Sequence, residues 1–197
     1  MGGAHMVGFG FKQAWLAVAG TDAGTVMAAL GVRDLGTVDW RAGIDLAYLT
    51  DDRLAVTPPL SGAAGSWVLA AGRTFFADDA TPDVAELSAT LGSEVQFFAT
   101  HRVMEAHYWE RAVGGRLVRA FRYVGETGRV TRWYGEPDAT EIAIGLPSHY
   151  DTDSESDDRP DVMVDEADVM TVAAAWSVDP STLDGREATG PLHVAAR

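Results

Sequence analysis

Residues 94 to 135, EVQFFATHRVMEAHYWERAVGGRLVRAFRYVGETGRVTRWYG, decide how the chain folds. Aromatic and β-branched residues recur through the stretch, among them Tyr108, Trp109, Tyr123, Trp133 and Tyr134. Two turn signals interrupt it, Gly114-Gly115 and Gly125-Glu126-Thr127-Gly128. A diglycine between β-rich runs is a strong hairpin signal, because a two-residue type I′ turn needs φ above zero at both central positions. The stretch reads as a three-stranded antiparallel meander.

The turn also predicts a register. With Val113 opposite Arg116, Glu110 faces Arg119, Tyr108 faces Phe121 and Ala106 faces Tyr123. Those pairs share one mostly apolar face, where aromatic cross-strand contacts contribute roughly 0.2–1 kcal/mol each. The other face pairs His107 with Arg122, Trp109 with Ala120, Glu105 with Val124 and Arg111 with Val118. Strand alternation adds His101 and Val103 to it. That second face is where function is expected.

Upstream, aromatic and β-branched content predicts a strand over Phe11–Ala19, then a helix capped by Thr21 or Asp22 and stopped at Gly31. Residues 37 to 60 read as strands broken by a turn at Thr50–Arg53 and ended by Pro58-Pro59. Ser61 to Ser66 reads as a small-residue loop and Trp67–Phe76 as a strand. A helix over Pro82–Leu91 follows, with Thr81 as its cap and Gly92 past its end. Two runs look alike, Trp15–Gly20 and Trp67–Gly72, each followed by a helix ending Leu-Gly. Arg53-Leu54-Ala55-Val56 likewise parallels Arg116-Leu117-Val118-Arg119. This allows two degenerate β-α-β-β halves, residues 11–66 and 67–135, around a pseudo-twofold.

Downstream, Asp138 and Glu141 have capping-box spacing at the head of a short helix. Residues 151 to 168 hold nine acidic residues against one Arg and read as an exposed loop, 151–164 in the domain plan. A last helix is predicted from Glu166 to Trp176, docked by Val169, Val172, Ala173 and Trp176. Ser177 to Arg197 reads as irregular, so 165–197 forms a helix and tail.

Composition excludes several classes. The chain has 197 residues, 47% of them hydrophobic, enough for a real core in one domain spanning 7–197. The opening MGGAHM reads as an expression-vector remnant and is set aside, His5 included. No run approaches the roughly 20 apolar residues of a membrane helix. Ala17-Val18-Ala19 matches a leader-cleavage pattern, but only Lys12 supplies positive charge and the apolar run before it is short. With no cysteine, disulfides, thiolate nucleophiles and cysteine-ligated metals are ruled out. A net charge of −14 argues against a nonspecific nucleic-acid binder and is compatible with a cytoplasmic protein that meets another protein. Arg greatly outnumbers Lys and Ala, Gly and Val abound, the stamp of a GC-rich bacterial genome.

Three groups of residues carry candidate chemistry. His101, Glu105 and His107 form a two-histidine, one-carboxylate set, although an extended strand holds the two imidazoles roughly 20 Å apart. Glu105, His107 and Arg122 form a carboxylate–imidazole–guanidinium cluster suited to proton transfer, the alternative being a solvated charge network on a sheet surface. Trp109, Arg111, Arg132, Trp133 and Tyr134 match the residue types that dominate protein interfaces. No G-x-S-x-G, phosphate loop or dinucleotide fingerprint is present, so no cofactor is expected. Asp151, Asp153, Glu155 and Asp157 alternate as in a calcium loop, but Ser156 and Val162 stand where glycine and a bidentate acid are needed.

Phe97–Val103, Trp109-Glu110-Arg111, Gly115–Phe121 and the run from Asp165 to Pro180 resemble a family of bacterial hypothetical proteins without an established activity. The resemblance covers about residues 94–184 and implies that the tail belongs to the domain; it implies no catalytic residue. The expectation is a single α+β domain with antiparallel sheet and helices on one side. Its expected role is a noncatalytic protein-binding module, of the immunity, adaptor or accessory kind. The alternative is a small enzyme or ligand-binding protein using His107, Glu105 and Arg122.

Overall fold

In a computed structural model of the chain, residues 5–77, 81–152 and 160–197 are described. The apolar run AWLAVA forms the central strand β1 (Ala14–Ala19), buried on both faces. Asp22 then caps α1 (Ala23–Ala29), accepting from the Thr25 amide at 2.9 Å. The chain continues through β2 (Arg33–Val38), α2 (Trp40–Leu49), β3 (Arg53–Val56), β4 (Leu60–Gly62) and β5 (Gly65–Ala71). A 3₁₀ turn leads to α3 (Val84–Leu91), capped by Asp83 and closed by Gly92 in the left-handed conformation. Strands β6 (Val95–His101), β7 (Ala106–Val113), β8 (Arg116–Val124) and β9 (Arg129–Tyr134) follow as a meander. Then come α4 (Ala139–Ala143), α5 (Glu166–Trp176) and β10 (Leu192–Ala196).

The fold is α+β, built on one antiparallel sheet in the order β2-β10-β3-β5-β1-β6-β7-β8-β9, with β4 paired to β5. Alternation sends Trp15, Leu69, Phe98, Trp109, Phe121 and Leu192 to one face and Leu16, Val18, Val68, Phe97 and Ala112 to the other. The first face is covered by α2 and α5, the second by α1 and α3. The helices thus pack on both sides rather than one, because β1 and β5 are apolar at successive positions and leave two surfaces to cover.

The predicted register holds only beside the turn. Gly114 and Gly115 have φ of 56° and 75°, and Val113 pairs Arg116 as expected. A bulge at Val118 then slips the ladder by one residue, giving Glu110–Ala120, Trp109–Phe121, Tyr108–Arg122 and His107–Tyr123. Packing explains the slip. It places Phe121 against Trp109, rings stacked at 4.4 Å, on one face of the sheet. Without it Trp109 would oppose Ala120.

Other expectations are corrected too. The meander has four strands, because residues 102–105 turn the chain between His101 and Ala106. Residues 40–49 are helical, with Asp39 as cap and Trp40, Ile44 and Ala47 buried on one face. The tail is not irregular: β10 lies between β2 and β3. Met6, set aside with the opening residues, is buried in the core and donates its amide to the Arg186 carbonyl at 2.8 Å. The Trp-headed runs do meet, Trp15 opposite Ala71 and Ala19 opposite Trp67 in neighbouring strands. The second parallel fails in position, since β3 adjoins β5 whereas β8 is separated from β1 by β6 and β7. The calcium-like run at Asp153, Glu155 and Asp157 lies outside the described residues.

Candidate functional site

The first turn of α5 leans over the end of β6 and β7. Asp165 caps that helix, accepting from the amides of Ala167 at 2.7 Å and Asp168 at 3.1 Å, while Asp168 accepts from the Asp165 amide at 2.9 Å. Glu166, the first helical residue, points into the sheet. Its Oε1 accepts the Thr100 hydroxyl at 3.1 Å and the Lys12 amide at 3.0 Å. Beside it, Thr100 Oγ1 lies 2.9 Å from His107 Nδ1.

This chain of contacts sets the histidine tautomer. The Thr100 hydroxyl carries one proton and gives it to the Glu166 carboxylate. It must therefore accept from Nδ1–H, which leaves the lone pair on Nε2. His107 is only 3% exposed and its Nε2 has no protein partner among the described residues. Burial pushes its imidazolium pKa below the ordinary histidine value, against the opposing fields of Glu166, Asp165, Asp168 and Glu105. Burial thus favours the neutral imidazole.

His107 forms part of the wall of an open cleft of about 570 Å³. It is also lined by Glu105, Asp165, Glu166, Asp168, Arg102 and Tyr123. Burial raises the pKa of Asp168, and burial followed by the Glu105 charge raises that of Tyr123. The rim is apolar: Phe11 is 51% exposed and Met163 84%. Glu105 sits in the left-handed region at φ 46°. Its side chain packs against Gly125, where a Cβ would strike it, and the Gly125 amide donates to the Glu105 carbonyl at 2.9 Å.

Of the residues expected from sequence, Glu105 and His107 reach this cleft and Arg122 does not. The bulge turns Arg122 to the opposite face, where its guanidinium lies 4.9 Å from the Tyr108 ring centre. His101 also faces away, edge-on to Phe76 at 5.5 Å, so one ion cannot join it to His107. No set of three metal-type side chains converges among the described residues. Trp109 is fully buried, and its indole donates to Glu141 Oε1 at 2.7 Å. Arg111 is tied to Glu94 at 2.6 and 3.2 Å. Trp133 is half-buried, leaving Arg132 and Tyr134 as the exposed members of the aromatic–arginine set. Sequence reasoning missed Thr100, Tyr123 and the three acids of α5. The Asp165-x-x-Asp168 spacing was a usable signal for the helix start, but nothing local announced what it would face.

No family model, no curated protein and no solved structure matches the chain. No helix among the described residues is long and apolar enough to cross a membrane.

Proposed function

We propose that the chain is a noncatalytic protein-binding module of a bacterial cytoplasm, of the immunity, adaptor or accessory kind. It holds its partner at the cleft beneath α5 rather than through the aromatic strand pair. One observation carries this reading: a concave acidic wall framed by exposed Phe11 and Met163, on a chain without a nucleophile or phosphate-loop motif. Interfaces combine apolar contact with polar groups that fix register, and here exposed Phe11 and Met163 supply the first and the acidic residues lining the cleft the second. A photo-crosslinking residue in place of Met163, expressed in bacteria, is expected to give a discrete adduct that disappears with Glu105→Arg. The same probe in place of Leu49, 70% exposed on α2, serves as the control. No adduct from position 163, or an equal one from position 49, would end this reading.

A second reading rests on the free Nε2 of His107. A small enzyme or ligand-binding protein would use that nitrogen as a base or acceptor, with Glu105 beside it and Arg122 excluded by the fold. Turnover or tight binding of a small amine, without a protein adduct, would favour it.

A further inference from the structure

We propose that the group the cleft receives is a guanidinium, the side chain of an arginine on the partner, seated between Nε2 of His107 and the carboxylate of Glu105. This rests on the reading of the cleft as the docking site and names the chemistry that enters it. Acidic residues at a helix start occur for capping alone, and Asp165 and Asp168 are engaged in that way. The independent observation is His107. It is a polar side chain almost wholly removed from solvent that lines the cleft, with Nδ1 at 2.9 Å from the Thr100 hydroxyl and no protein hydrogen bond at Nε2 among the described residues.

An acceptor of that kind calls for an N–H or O–H donor. The surrounding carboxylates call for a donor that is charged. The capping carboxylates of Asp165 and Asp168 offset the positive end of the α5 dipole. Two biological cations remain, and geometry separates them. The acceptors lie on different elements: His107 on β7, Glu105 in the preceding turn, Asp165 and Asp168 on α5. A guanidinium presents five N–H donors in a planar fork and reaches separated acceptors at once, whereas an ammonium is a compact point. It also keeps its charge when desolvated and stacks on rings such as Phe11 and Tyr123. Arg102 also lines the cleft, so the chain itself already brings an arginine to this surface.

Glu105 provides a clean test. Held at positive φ, it is a position that glycine fills without strain. Glu105→Gly removes the carboxylate and relieves the backbone, so the variant is expected to melt no lower than wild type. The probe is the blocked tripeptide acetyl-Gly-Arg-Gly-amide, titrated into the full chain at pH 7 while the His107 side-chain resonances are followed by NMR. Saturable shifts are expected, with Kd on the order of millimolar for so small a ligand. The lysine tripeptide is expected to bind about fivefold or more weakly, and the neutral citrulline tripeptide not to bind. Glu105→Gly and Glu105→Gln are each expected to weaken binding about tenfold or more, and Arg102→Ala to tighten it.

No saturable shift at His107, equal binding of citrulline, or undiminished binding in both Glu105 variants overturns the guanidinium site. The two readings fail separately. Arginine-selective binding without a Met163 adduct retains the site and removes the protein partner. An adduct without arginine selectivity retains the partner and removes the guanidinium.

Discussion

At the scale of single residues, the candidate site centres on a histidine whose surroundings are set by contacts remote in sequence. Thr100 orients it from the neighbouring strand and Glu166 orients Thr100 from a helix far down the chain. The titratable and charged residues that line the cleft with it are Glu105 and Arg102 from the turn, Asp165, Glu166 and Asp168 from the start of α5, and Tyr123 from β8. Because burial holds the His107 pKa below its unfolded value, the folded state takes up fewer protons than the unfolded chain as pH falls from 7. Its contribution is therefore present above the unfolded value and lost as pH drops through the folded one. Asp168 and Glu110, raised by burial, act in the opposite sense. Urea unfolding of wild type and His107→Gln at about pH 7.5 and about pH 5.5 isolates the imidazole, whose slope cannot exceed about 1.4 kcal/mol per pH unit. Wild type is expected to lose more stability than the variant; equal losses would show that His107 titrates normally.

At the scale of elements, α4 is fastened to the sheet by a buried ion pair. Arg119 Nε donates to Glu141 Oε1 at 2.8 Å, with the guanidinium 4.3 Å from the Trp133 ring centre. The pair side chains are 4% and 0% exposed. Glu141 also accepts from Trp109 and, through Oε2, from the Asp138 amide at 3.0 Å, so its acceptor sites are well filled. A pair this dry is costly to break from one side. Arg119→Met is expected to lose about 3–5 kcal/mol in denaturant unfolding, since Glu141 is then stranded. The double variant with Glu141→Leu is expected to lose less than the two singles added, by about 2 kcal/mol or more; strict additivity would show the pair to be uncoupled. The same bulge that brings Arg119 to Glu141 sends Arg122 away from His107. A sequence register counted outward from the diglycine missed this, because β-bulges are placed by packing and Val118 carries no local mark of one.

At the scale of the molecule, the last strand closes the sheet from within. β10 pairs β2 on one side and β3 on the other, so β2 has no other neighbour in the sheet. A chain ending at Gly190 is expected to lose cooperative thermal unfolding rather than merely shed a tail; an unchanged sharp transition would show that β10 is dispensable. Capping residues and apolar periodicity made α1, α4 and α5 legible, and the diglycine made the β7–β8 turn legible; α3 was expected two residues early, with Thr81 rather than Asp83 as its cap. β10 was not, because Leu192–Ala196 is short and follows glycine and proline.

By itself the sequence determined much of the local geometry: where α1, α4 and α5 begin, where the chain reverses at the diglycine, which chemistries lack their residues, and that the fold mixes helix with antiparallel sheet. Those features depend on neighbours a few residues apart, where backbone hydrogen bonds and φ preferences act. Tertiary structure alone decided which side chains meet. It set Trp109 on Phe121, removed Arg122 from the candidate cluster and brought Glu166 and Thr100 behind His107. The physical reason is that each juxtaposition is a competition among distant partners for buried surface and hydrogen-bond satisfaction, and a one-residue slip in a strand exchanges its two faces.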